Sequence, residues 1–153
     1  MRFSVLRVPF FLEGEYDESK VFEESNRERL VKKWGGPAGW ERQKRGHNLK
    51  GRGLAAGIPK FNLDRLAANS MASHRLIQHV GKRFGLARSE SLYDRLNVYY
   101  FVDGHSLNDR PRLAEVAAAH LREHDVELDA EEILVFLEGD EGRAEIRAAL
   151  AAL

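Results

Sequence analysis

The sequence contains no cysteine in its 153 residues. Without a thiol, the chain by itself cannot form a disulfide framework, a cysteine-based metal site or a thiolate nucleophile. Thiol–disulfide exchange requires a thiolate that attacks a disulfide sulfur. The composition therefore excludes such exchange by this chain alone, whatever its fold.

Long apolar runs are lacking as well. No stretch approaches the roughly 18–20 apolar residues of a membrane-spanning helix. The N-terminal stretch MRFSVLRVPFFLEG is apolar, but Arg7 interrupts it and no small-residue cleavage site follows, which favours a strand over a signal peptide. We therefore expect no membrane association and take the cytoplasm as the default location.

Neither sign of charge dominates, since the net charge is zero, but the charges are unevenly placed. Residues 27–60 hold ten Lys/Arg against two Asp/Glu, whereas residues 123–153 hold two Arg against ten Asp/Glu. The basic segment could bind an anionic partner or face the acidic segment of its own chain, and the second arrangement is favoured. RNA binding by charge and stacking on Trp34, Trp40 and Phe61 is less favoured, because no nucleic-acid motif is present.

The apolar periodicity predicts a mainly helical protein with one β-strand. The strand is expected at the N-terminus, over residues 3–11, and to end near Gly14. Helices are predicted over residues 26–34, 37–56, 67–85 and 89–102, after Asn108 or Asp109, from the DAEE sequence at 129–132 to Gly139, and from Asp140 onward. A lone strand cannot satisfy the hydrogen-bonding groups along its own edges. None of the other predicted elements is a strand that could pair with it.

Asn69, Ser70 and His74 open the helix with the clearest apolar face. Either Asn69 or Ser70 could cap the helix by accepting from its first N–H groups, and this role is favoured. His74 lies about 100° from Ser73 around the helix, at the border of the apolar stripe. No acidic partner at helical spacing supports His74 as a base, so packing and hydrogen bonding are expected of it.

Three other histidines lie in settings that bear on chemistry. His120 shares an apolar helix face and is expected in the core or at an interface. His120 and His124 have the i, i+4 spacing of a metal pair, but no third ligand is evident, so no metal is expected. His47 lies in a glycine-rich basic segment that lacks the spacing of a phosphate-binding loop.

Five segments, taken in order, resemble the DsbA-like thioredoxin domains of the FrnE type. The relatives of that family include glutathione-dependent 2-hydroxychromene-2-carboxylate isomerases and kappa-class glutathione transferases. The resemblance covers nearly the whole chain, and the order of the five segments is more specific than any one segment alone. The segments are RVPFFLEG, GLAAGIPKFNLD, NSMASHRLIQHVG, YYFVDGHSLNDRPRLAEVAAAH and LDAEEILVFLEGDEGRAEIRAAL.

The resemblance implies one domain over residues 1–153, the helical insertion of a thioredoxin-like α/β fold with a remnant strand. Residues 1–14 would be that strand, residues 15–138 the helical insertion and residues 139–153 a final helix leading toward further sheet strands. Family members begin with a nucleophile-bearing strand and helix and later carry a Val-Pro strand. This sequence shows neither, so we expect a chain truncated at both ends.

The family implies a thiol–disulfide oxidoreductase or a glutathione-dependent isomerase or transferase. For this chain we expect no catalysis by itself and no catalytic residue, cofactor or metal, with glutathione relevant only to the isomerase and transferase branch. By the resemblance, Phe10, Phe11, Phe61, Asn69 and His74 would form a groove for a peptide or a small thiol. The alternative is an interaction module that pairs a protein partner with an exposed strand and uses the basic segment.

Overall fold

The computed structural model describes residues 7–11, 14 and 16–152. The described residues are mainly helical, as the sequence predicts. Eight α-helices and one π-helical turn follow one another along this part of the chain. They are α1 (Asn26–Lys33), α2 (Pro37–His47), α3 (Leu49–Ala55), α4 (Met71–Phe84), α5 (Leu86–Asn97), the π-helical turn (Val98–Val102), α6 (Arg110–Arg122), α7 (Ala130–Glu138) and α8 (Arg143–Ala151).

Capping side chains explain where several helices begin. Ser25 and Glu28 form a reciprocal capping box at the start of α1. Asp109 caps α6 by accepting from the Arg112 N–H, and Asp129 caps α7 by accepting from the Glu132 N–H. The predicted starts of α6 and α7 are thus confirmed, and Asp109 rather than Asn108 is the residue that caps α6.

The predicted helix over residues 37–56 is wrong in one respect, because it is two helices. Asn48 interrupts it with a left-handed backbone (φ 44°, ψ 44°), and its side chain then accepts from the Gly51 N–H to begin α3. Asparagine tolerates this conformation better than most residues because its short side chain hydrogen-bonds locally. The last helix also begins later than predicted, at Arg143, after Gly142 in the left-handed region.

The predicted N-terminal strand is not found in residues 7–11 and 14, which have no regular secondary structure. Residues 1–6, 12 and 13 of the expected strand lie outside the described residues. The β-structure that the described chain does contain is an isolated antiparallel bridge between Ser25 and Leu66. A strand forms only when a neighbour pairs with its backbone groups, and no such neighbour accompanies residues 7–11 in the described part.

The core lies among α4, α5, α6 and α7. Helix α4 packs on α5, α6 on α7 and α5 on α6, while α8 lies against α4. Apolar side chains from all four central helices are almost fully inaccessible to solvent. They include Leu76, Val80, Leu92, Leu96, Leu113, Ala117, Leu121, Ile133 and Leu137. Among the described helices, none combines the length and apolar character needed to cross a membrane.

The side chain of Arg75 joins α4 to the C-terminal end of α7. Arg75 is 1% exposed, and within the described chain its guanidinium pairs with no carboxylate. It donates instead to four backbone oxygens: Nε to Glu141 (2.7 Å), Nη1 to Leu137 (3.1 Å), and Nη2 to Phe136 (2.8 Å) and Gly139 (2.6 Å). The last carbonyls of a helix have no intrahelical donors and carry its negative dipole end, so a cation is well placed there. Burial lowers the pKa of Arg75, although arginine remains protonated in proteins.

Replacing Arg75 with methionine should lower the free energy of unfolding by about 2–4 kcal/mol, because several buried carbonyls would lose their donor. The matched control is Arg83→Met on the same helix. Arg83 forms an exposed ion pair with Glu132, so its loss should cost no more than about 1 kcal/mol. Urea unfolding followed by far-UV circular dichroism measures both values. Equal losses in the two variants would contradict the role assigned to Arg75.

Candidate functional site

A cleft of about 540 Å³ lies where the N-terminal segment meets α4 and α8. We call it the α4 cleft. Apolar and charged side chains both line it, so it can contact both the carbon skeleton and the polar groups of a ligand. Its lining residues are Phe11, Gly14, Tyr16, Asp17, Glu18, Asn69, Met71, Arg147 and Leu150.

Asn69 holds one wall of the α4 cleft in place. Its Oδ1 accepts from the Met71 N–H at 2.8 Å, which satisfies a donor at the start of α4, whereas Ser70 makes no such cap bond. Its Nδ2 donates to the backbone oxygen of Tyr16 at 2.8 Å. The predicted capping role of Asn69 is confirmed, and the same side chain also fixes the N-terminal segment against the helix.

The half-buried ring of His74 packs against Phe11. Their ring centroids are 5.3 Å apart in an edge-to-face arrangement, which aromatic pairs prefer. Burial lowers the pKa of His74, and a hydrogen bond with the backbone of Phe10 offsets this only in part. His74 therefore packs against Phe11 behind the α4 cleft, where partial burial favours its neutral form. The neighbouring Phe10 side chain is 62% exposed.

Phe61 lies apart from the other predicted groove residues. It lines a second, larger groove of about 1200 Å³, formed by α1, α2, α3, the segment 58–65 and Phe101, which we call the basic groove. The structure thus brings Phe11, Asn69 and His74 together and places Phe61 elsewhere. The lining residues of the basic groove are Asn26, Arg29, Leu30, Trp34, Trp40, Lys44, Arg45, His47, Asn48, Leu49, Lys50, Arg52, Ile58, Pro59, Lys60, Phe61, Leu63, Arg65 and Phe101.

The acidic segment of the chain does not face the basic groove. Its ion pairs with other elements run to α4 and to the N-terminal segment: Lys82 with Glu145, Arg83 with Glu132, and Arg143 with Glu18. Within the described residues, the expected pairing of basic and acidic segments is therefore wrong. Counting Lys, Arg, Asp and Glu along the sequence could not show that the acidic segment forms ion pairs with cations of α4.

Asn108 is a site residue whose role the sequence reasoning missed. It is 5% exposed, and its Nδ2 donates to the backbone oxygens of Asp17 (2.9 Å) and Lys20 (2.6 Å). Together with Asn69, it fixes residues 16–20 on the helices and so shapes the α4 cleft. Its position beside the Asp109 cap was the available signal, but the partners of Asn108 lie 91 and 88 residues away.

The backbone of the chain is similar to that of a solved oxidoreductase. It matches the crystal structure of a probable DsbA oxidoreductase from Streptomyces coelicolor with a TM-score of 0.72 and 27% sequence identity, over 94% of this chain and 57% of that chain. The chain therefore has the fold of a DsbA-like domain of the thioredoxin superfamily. No protein-family model and no curated protein matches its sequence. The structural comparison thus supports the DsbA-like character that the quoted segments indicated.

A second polar cluster in the DsbA-like domain joins α5 to α6. Ser91 Oγ lies 2.8 Å from His120 Nε2 and 3.0 Å from His124 Nε2. Burial, followed by the proximity of His124, lowers the pKa of His120. The cluster contains two histidines and no carboxylate ligand, and no group of three or more potential metal ligands occurs in the described residues. Its hydrogen bonds fit the packing role expected for His120.

The half-buried His74 should make the domain sensitive to acid. Because its folded-state pKa is lower than that of an unfolded histidine, about 6.5, the unfolded chain binds the proton more readily. The free energy of unfolding should therefore fall as the pH drops below about 6.5. In the His74→Gln variant, the free energy of unfolding should fall less steeply with decreasing pH. In His47→Gln, at an exposed position, it should fall as in the parent chain. Urea unfolding at about pH 7.5 and about pH 5 tests this, and parallel losses in all three proteins would contradict it.

Proposed function

We propose that this chain supplies the helical, ligand-facing part of a DsbA-like thiol–disulfide oxidoreductase and does not exchange disulfides by itself. The α4 cleft, built on the start of α4 in a DsbA-like fold, is the observation that carries this proposal. The chain has no cysteine, so any reacting sulfur would come from outside these 153 residues. Its own contribution would be to bind and orient a ligand.

The lining of the α4 cleft supports a peptide or a small thiol such as glutathione as the ligand. Phe11, Met71 and Leu150 offer apolar contact, while Asp17 and Arg147 offer charges of both signs. The Arg147 side chain is 63% exposed and its Nη2 lies 3.5 Å from Glu18 Oε1, so it can reorient toward a ligand carboxylate. A peptide or glutathione carries both amine and carboxylate groups and therefore suits this combination.

Two other functions are compatible with the same fold. A glutathione-dependent isomerase or transferase would use the α4 cleft for the same thiol, so glutathione binding alone would not separate it from an oxidoreductase. A protein-interaction module would pair a partner strand with residues 7–11, which have no ladder partner among the described residues. The charged cleft favours the oxidoreductase-type ligand site over pairing through the backbone alone.

Disulfide reduction is the direct test of the predicted lack of intrinsic catalysis. The purified chain, incubated with insulin and dithiothreitol, should precipitate insulin no faster than buffer does, because no thiolate is available to form the mixed disulfide. A dithiol oxidoreductase such as thioredoxin serves as the positive control. Turnover above the buffer rate would contradict the proposal.

Ligand binding at the α4 cleft has its own test. Titration of the ¹⁵N-labelled chain with glutathione, or with a short peptide, should shift the amide resonances of Tyr16, Met71 and Leu150. Arg147→Glu should weaken these shifts because it removes the cation offered to a carboxylate, whereas Arg122→Glu, at an exposed position outside the cleft, should not. The absence of cleft shifts with both ligands would count against this site.

A further inference from the structure

The basic groove has a one-sided charge pattern. Seven lysine or arginine residues line it, and no aspartate or glutamate of the described chain does. Such a surface produces a positive potential over the groove and attracts anions. The seven are Arg29, Lys44, Arg45, Lys50, Arg52, Lys60 and Arg65.

Most of this charge is available to a partner. Lys44 pairs with Glu41 at 2.7 Å, but Arg45, Lys50, Arg52 and Lys60 are exposed and form no ion pair within residues 16–152. The carboxylates of the acidic segment form their ion pairs with other elements, chiefly with α4. The groove therefore presents four exposed cations that no carboxylate of residues 16–152 contacts as an ion pair.

The floor of the basic groove is apolar. Trp34 is 37% exposed, Phe101 38% and Ile58 42%, so each presents carbon surface to the groove. Two glycines lie in close contact with residues of this floor. A Cβ at Gly39 would lie 1.9 Å from the Trp34 oxygen, and a Cβ at Gly53 would lie 2.5 Å from the Phe61 ring, so both positions need glycine. An occupant would thus meet apolar contacts below and cations along the rim.

The size and lining of the groove indicate what occupies it. About 1200 Å³ exceeds the roughly 300–1,000 Å³ of typical small-molecule pockets, which favours a polymer segment. Aliphatic groups of Leu30, Leu49 and Ile58 share the floor with the aromatic rings, and they suit apolar side chains better than stacked bases. A nucleic acid would also meet a protein without net positive charge.

We propose that the basic groove binds an acidic peptide segment that also carries apolar side chains, supplied by a protein partner. Carboxylates of the segment pair with Arg45, Arg52 and Lys60, while its apolar side chains contact Trp34, Trp40 and Phe61. The proposal does not depend on the α4 cleft or on redox chemistry, because the two sites share no residue. Failure of the glutathione or insulin experiments would leave it untouched.

Intrinsic fluorescence reports this site directly, because both tryptophans of the chain line the groove. Titration with a tryptophan-free peptide of glutamates interspersed with leucines should shift the emission saturably. Raising NaCl from about 0.05 M to about 0.5 M should weaken binding by at least about tenfold, since exposed charges are screened. A peptide with serine in place of leucine, and one with lysine in place of glutamate, should each bind at least about tenfold more weakly.

Two variants and a matched control locate the binding. The double variant R52E/K60E should raise the dissociation constant at least about tenfold, because it reverses two exposed cations of the rim. Ile58→Ser should weaken binding of the leucine-containing peptide but not that of the serine-containing peptide. Arg122→Glu reverses an exposed arginine outside the groove and should change the dissociation constant less than about twofold. Far-UV circular dichroism confirms that each variant is folded.

Three results would overturn the proposal. The first is tighter binding of a single-stranded oligonucleotide of equal charge than of the acidic peptide, which would assign the groove to nucleic acid. The second is salt-sensitive self-association in light scattering with no peptide binding, which would assign it to a second copy of the chain. The third is peptide binding that is equally strong in R52E/K60E and the parent chain.

Discussion

The buried guanidinium of Arg75 is the contact on which the arrangement of the helices depends. It lies in the interior, where a charge is costly unless every donor finds an acceptor. The C-terminal end of α7 and the turn leading to α8 supply those acceptors. One side chain on α4 thereby fixes the end of α7 and the start of the path to α8. Because α8 contributes Arg147 and Leu150 to the α4 cleft, this interior contact lies next to the turn that leads into one wall of the cleft.

The domain separates two surfaces with different chemistry. The α4 cleft mixes apolar groups with charges of both signs, and two buried asparagines hold its N-terminal wall. The basic groove lies on α1, α2 and α3 and carries charges of one sign over an apolar floor. A DsbA-like domain built this way could hold a small ligand at the first surface while a partner protein is retained at the second. Substitutions at one surface would then change binding there without changing binding at the other surface.

The sequence predicted the helices well because their apolar positions repeat at helical spacing and their caps are local. Asp109 and Asp129 could be found in this way, since each bonds to a residue only three positions ahead. Long-range contacts were beyond such reasoning. Nothing in the sequence around Arg75 marks it as buried, and the association of Asn69 with Tyr16 spans 53 residues. Phe61 was grouped with Phe11 by family resemblance, whereas packing against Gly53 places it in the other groove.

The hydrogen bonds of Asn69 and Asn108 also bear on the order of folding events. They connect residues 16–20 to positions 53 to 91 residues farther along the chain, so each requires closure of a long loop. The hairpins of α4 with α5 and of α6 with α7 join near neighbours in sequence, and local contacts of this kind form faster than distant ones. We therefore expect the central helices to assemble first and the N-terminal segment to dock afterwards. The α4 cleft would then be the last part of the molecule to acquire its shape during folding and the first to lose it when the domain opens.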